Sequence, residues 1–228
     1  MILQRFETAD AASGALASQV IAALRMGLGW RQSASLAVAG GRTPVALFRL
    51  LSEAELDWSR VGVTLTDERW VAEDQPGSNG ALVRATLLAG RAGAARFVPL
   101  FDGQPLAGAT QAAWERVREL PLPFDAVVLG MGEDGHFASL FPGNANLPAA
   151  LDAATAPGCV AMRAPVAPGE RISLNLAALL QTRRLFLQVT GAAKLELLLA
   201  AARAEGTQWP VTTLLAQRHP EPEIFWAP

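Results

Sequence analysis

The segment LGMGEDGHFASLFPG, residues 129–143, holds four glycines, two adjacent acids and one of the two histidines in the chain. It follows Phe124–Leu129, a run that reads as a buried strand. The glycines therefore mark the point where a strand empties into a loop. Gly130 and Gly132 permit an unusual turn, and Gly135 clears space beside His136. An imidazole in such a place can take and return a proton near neutral pH. Glu133 or Asp134 can fix its tautomer by hydrogen bonding.

Three other strand ends carry groups suited to an anion. In AVAGGRTPVALF, residues 37–48, Gly40 and Gly41 let a ligand approach the backbone, and Arg42 adds a charge. Thr43 is expected to cap the next helix, with Pro44 at its first position. The exposed N–H groups there favour a phosphate or carboxylate. In VTLTDERWV, residues 63–71, Asp67, Glu68 and Arg69 form a turn after an apolar strand. Arg69 is a candidate anion clamp, and Asp67 or Glu68 a candidate for orienting hydroxyls. In LQVTGAAKLELLLAA, residues 187–201, Lys194 sits in the first turn of a helix, where a cation is mildly disfavoured until an anion binds.

Periodicity supplies the elements that position these loops. Helices are expected over Ala11–Met26 (ending at Gly27), Pro44–Leu51, Asn79–Leu88 with Ser78 as N-cap, Ala107–Glu119 and Ala192–Ala202. Strands are expected over Ser35–Ala39, Val61–Thr66, Arg96–Pro99, Phe124–Leu129, Cys159–Arg163 and Arg184–Val189. Glu223–Trp226 reads as an edge strand, Phe137–Phe141 as a short helix, and Ile172–Leu180 as either helix or strand. Strands alternating with helices of about ten residues predict an α/β fold with a largely parallel sheet and helices on both faces. Ligands of such sheets bind beyond the carboxyl ends of the strands. No linker divides the chain, so residues 1–228 are expected to form one domain.

The bulk numbers exclude several classes. A chain of 228 residues, 51% of them hydrophobic, buries roughly 70–75% of its unfolded surface and needs no staples. A net charge of −2 gives no general attraction to nucleic acid or to anionic membranes. One cysteine, Cys159, rules out an internal disulfide and a cysteine-cluster metal site. His136 and His219 lack ligand spacing, so no metal is expected. Met1–Glu7 has no signal-peptide pattern. The chain also lacks an uninterrupted apolar run of about 18 residues, so no membrane span is expected. A cytoplasmic protein is the expected reading.

The motifs AGGRTP (39–44), TDERWV (66–71), SN (78–79), LGMGEDGHFASLFPG (129–143), RISLN (171–175) and GAAK (191–194) together resemble the 6-phosphogluconolactonase family. That family belongs to the group that includes glucosamine-6-phosphate deaminase and ribose-5-phosphate isomerase. The FASLFPG continuation after the histidine resembles the lactonase form, where a deaminase has an IAFNEPG-like string. Phe137, Ser173 and Ala72 depart from the threonine, threonine and proline usual in lactonases, with a possible effect on pocket shape.

The resemblance implies a Rossmann-like α/β fold and hydrolysis of 6-phospho-D-glucono-1,5-lactone to 6-phosphogluconate in the pentose phosphate pathway, without a cofactor. The expected partner is a phosphorylated sugar lactone, with no oligomeric state implied. His136 is the candidate general base. Gly40, Gly41, Arg42, Thr43, Asp67, Arg69, Gly132, Arg171 and Lys194 are the candidate binding residues. The alternatives are a sugar-phosphate deaminase or isomerase using Asp67 as base, and a sugar-phosphate sensor without turnover.

Overall fold

The computed structural model describes residues 1–203 and 209–228. In chain order its first half runs β1 (Ile2–Arg5), α1 (Ala9–Arg31), β2 (Ala34–Val38), α2 (Val45–Ser52), β3 (Val61–Leu65), β4 (Asp67–Arg69), α3 (Asn79–Thr86), β5 (Arg96–Val98), α4 (Leu106–Val117) and β6 (Ala126–Gly130). The second half runs α5 (Leu147–Leu151), β7 (Cys159–Arg163), β8 (Glu170–Leu174), α6 (Leu176–Leu179), β9 (Leu185–Thr190), α7 (Ala192–Arg203), α8 (Pro210–Leu215) and β10 (Glu223–Ala227).

Seven strands form one sheet in the order β1-β10-β9-β6-β2-β3-β5, and every neighbouring pair is parallel. All residues of β2 and β3 are buried. Strands so covered have helices over both faces, as the apolar runs predicted. From β2 the chain builds outward through β3 and β5, then returns to place β6 on the other side of β2. The order in which strands are added thus reverses between β2 and β6, which opens a crevice at their carboxyl ends. A second sheet, β4-β8-β7, is antiparallel.

Several expectations need correction. Asp67–Arg69 is a strand rather than a turn, because β8 offers it a partner from a hundred residues away in sequence. Glu223–Ala227 is an interior strand, since β1 pairs with its outer side. Ile172–Leu180 holds both structures: β8 ends at Leu174, and the Asn175 side chain caps α6 by accepting from the Ala178 N–H at 2.9 Å. Helix α1 runs past Gly27 to Arg31. A Cβ at Gly27 would overlap the Asp125 carboxylate, so this glycine permits close packing rather than stopping the helix.

Among the described residues, α1 alone is long and apolar enough to cross a membrane. Its Leu16, Val20 and Leu24 are completely buried in the core that the sheet and its helices share.

Candidate active site

A cleft of about 390 Å³ lies at the carboxyl ends of the four central strands β9, β6, β2 and β3. His136, Gly40, Gly41, Arg42, Thr43, Asp67, Arg69, Gly132, Arg171 and Lys194 all line it. Asn79, Ser139 and Phe141 line it as well, and residue-type reasoning did not single them out. Asn79 had a signal in the SN motif, and Ser139 in the string after the histidine. His219 is exposed and lies elsewhere.

The loop after β2 is shaped by close approach. Gly41 has φ +96°, which favours glycine. A Cβ on Gly40 would overlap the side-chain amide of Asn79. Helix α2 starts at Val45, after Pro44, and has no side-chain cap. Thr43 is therefore not the cap it was expected to be, and it lines the cleft instead.

After β6 the chain folds into a small knot of backbone bonds. The Gly132 N–H donates to the His136 carbonyl at 2.9 Å, and the Gly135 N–H to the Gly132 carbonyl at 3.2 Å. A Cβ on Gly132 would overlap the imidazole, so glycine at 132 is what lets the ring fold back over its own loop. Gly135 has φ +74°, and a Cβ there would come within 2.8 Å of Trp209. Of the two acids, Asp134 partners the histidine: its Oδ1 lies 2.5 Å from His136 Nδ1 and also accepts the His136 N–H at 3.2 Å. Nε2 is then the nitrogen left for a ligand. Burial opposes ionisation of Asp134, but bonds from His136 outweigh it and hold the carboxyl below its ordinary value. The Phe141 ring supports the imidazole at a centroid distance of 4.2 Å.

No helix follows His136, contrary to expectation, because Ala138 takes φ +48° and breaks any helical run. Phe137 is wholly buried and does not line the cleft, and Ala72 is exposed away from it. Ser173 is buried too, its hydroxyl accepting the Ser139 N–H at 3.2 Å. These three departures from the usual lactonase residues do not line the cleft wall.

The pairing of β4 with β8 sets Asp67 opposite Ser173 and Arg69 opposite Arg171. Two guanidiniums in direct cross-strand register repel each other. Arg171 is only 6% exposed. Burial first, and then the charge of Arg69, pull its pKa down, while Asp67 and Glu68 oppose that shift. The arginines are held by neutral groups: Arg69 donates to the Gly77 carbonyl at 2.8 Å and to Asn79 Oδ1, and Arg171 to the Pro168 carbonyl at 2.6 Å. Lys194, in the first turn of α7, donates to the Met131 carbonyl at 2.7 Å.

Among the described residues, Asp67 is the one carboxylate on the cleft wall. It accepts from the Ser139 hydroxyl at 2.5 Å and from Thr66 at 3.2 Å. Among the same residues, the wall thus sets four cations against one anion. It has the electrostatics of a receptor for a multiply charged anion. Among the described residues no group of three or more His, Cys, Asp or Glu is placed to hold a metal ion.

The model of the glucosamine-6-phosphate isomerases/6-phosphogluconolactonase family matches residues 7–226. The chain is 44% identical to a 6-phosphogluconolactonase of Rhizobium meliloti over 226 residues, which cover 98% of this chain and 97% of that protein. It is also 44% identical to a 6-phosphogluconolactonase of Pseudomonas aeruginosa over 206 residues, 89% and 86% of the two chains. The crystal structure of a 6-phosphogluconolactonase from Shewanella baltica superposes with a TM-score of 0.93 at 40% identity, covering 100% of this chain and 98% of the other.

Proposed function

Because the chain belongs to the glucosamine-6-phosphate isomerase/6-phosphogluconolactonase family, we propose that it hydrolyses 6-phospho-D-glucono-1,5-lactone to 6-phosphogluconate using a water activated by His136. The observation that carries this reading is the pairing, in one cleft, of an aspartate-oriented imidazole with Arg69, Arg171 and Lys194, whose charged ends donate to carbonyls and an amide.

Arg42, Arg69, Arg171 and Lys194 bind the phosphate, with the backbone N–H groups around Gly40, Gly41 and Thr43. Binding energy from that remote group holds the lactone in register. His136 Nε2 takes a proton from water as its oxygen bonds to the lactone carbonyl carbon. Asp134, on Nδ1, fixes the tautomer and favours the imidazolium that forms. The tetrahedral intermediate then breaks its bond to the ring oxygen, and the imidazolium returns the proton to that oxygen. Asp67 accepts a hydrogen bond from a sugar hydroxyl.

The deaminase alternative needs Asp67 as a base. Proton release from freshly prepared 6-phosphogluconolactone, with and without the protein, tests the proposal. Acceleration over spontaneous hydrolysis is expected. No acceleration, with ammonia released from glucosamine 6-phosphate, would replace the lactonase by the deaminase. Binding of 6-phosphogluconate without turnover of either would identify a sensor.

A further inference from the structure

Glu68 alternates with Asp67 and Arg69 along β4, so its side chain leaves the face that carries the cations. It is 2% exposed, and burial pushes its carboxyl above the ordinary value although three backbone N–H groups pull the other way. Those groups show what it does. Oε1 accepts from the Arg69 N–H at 2.8 Å and the Asn79 N–H at 2.7 Å, and Oε2 accepts from the Gly80 N–H at 2.7 Å. The carboxylate therefore occupies the N-terminus of α3 as an internal anion, and that helix end is closed to substrate.

Asn79, pinned by its backbone in this way, is itself only 2% exposed. Its Nδ2 donates to the Asp67 carbonyl at 2.9 Å, and its Oδ1 accepts from Arg69 Nη1. One side chain thus ties together the backbone at Asp67 and the head of Arg69. The absent Cβ of Gly40 makes room for the same amide, so the first loop is fitted to it as well.

We infer that Asn79 is a positioning residue, which holds the Arg69 guanidinium toward the phosphate across the cleft from His136, with buried Glu68 as the anion that fixes Asn79. The inference rests on the phosphate role proposed above for Arg69. An arginine has many rotamers, and losing them on binding costs affinity. Holding the guanidinium beforehand moves that cost into folding.

A double-mutant cycle tests it. Asn79→Ala is expected to raise KM for 6-phosphogluconolactone about tenfold, with kcat within about threefold of wild type. In an Arg69→Ala background the same change is expected to add less than about twofold to KM, because its target is gone. Additive effects on KM would overturn the inference and make Asn79 an independent substrate contact. A fall in kcat with KM unchanged would overturn it too. If Asn79→Ala does not fold, Glu68→Gln carries the same cycle, since one of its atoms turns a donor toward backbone donors. Arg69→Ala alone separates the two readings: an unchanged KM there defeats the phosphate role itself, whatever Asn79 does.

Discussion

Two buried carboxylates sit at opposite ends of the central sheet, each with two arginines nearby, and they are treated in opposite ways. Asp125, at the amino end of β6, is fully buried. Arg31 reaches its Oδ2 at 2.6 Å, the Ser35 N–H donates to the same oxygen at 2.8 Å, and Arg183 lies 3.7 Å from Oδ1. There the arginines meet the carboxylate. Asp67, at the carboxyl end of β3, is satisfied by hydroxyls instead, while Arg69 and Arg171 rest on carbonyls and an amide. Charge neutralised within the fold marks the structural end of the sheet. Charge left over marks the end where the cleft opens.

The largest expected effect breaks the closed cluster. Asp125→Ala leaves the Ser35 N–H without its partner and Arg31 without its counterion, and is expected to cost about 3–5 kcal/mol of stability. KM should be unchanged in the protein that remains folded. Chemical denaturation with kinetics on the same samples checks both, and an altered KM would dissolve the contrast. At the open end the signs reverse. Arg171→Ala should raise KM by about 10- to 100-fold, yet leave stability equal or higher, because it removes a like-charge pair. A large loss of stability there would show that Arg171 is structural.

A smaller effect sharpens the same comparison through pH. Burial raises the pKa of Asp125 above its ordinary 3.8, against the pull of Ser35 and Arg31. A carboxyl raised on folding contributes stability that is full below the unfolded value and is lost as pH rises through the folded one. The advantage of wild type over Asp125→Asn should therefore grow as pH falls from neutrality toward 4. Denaturation midpoints across that window decide it, and a shrinking advantage would contradict the burial account. The smallest expected effect is none at all. Cys159 on β7 is half-buried, and desolvation pushes its thiol up to about 12, so iodoacetamide at neutral pH should alkylate it slowly and leave activity intact. Rapid alkylation would refute this.

Glycines at strand ends, short apolar runs and the histidine of the glycine-rich loop were legible in the chain because local conformation dictates them. The cleft residues on the loops after β2, β6 and β9 follow from that local logic. The β4–β8 pair does not. Three polar residues, Asp67–Arg69, carry no strand period, and only a distant partner makes them one. The same reason hid the facing of Arg69 and Arg171. Strand β1 was missed because ILQR is short and mixed in polarity, which in turn made β10 look like an edge. Gly27 misled because a glycine in a helix reads as a stop unless the packing of Asp125 is known. Asn79 and Ser139 are common turn residues whose importance lies in what they touch across the fold.

The central claim is that His136 performs the chemistry while the cations hold the substrate. Comparing His136→Ala with wild type for both turnover and calorimetric binding of 6-phosphogluconate separates these roles. The account predicts a kcat reduced by about 10²- to 10⁴-fold, with product affinity within about threefold of wild type. Wild-type turnover in the variant, or affinity lost in step with kcat, would contradict it.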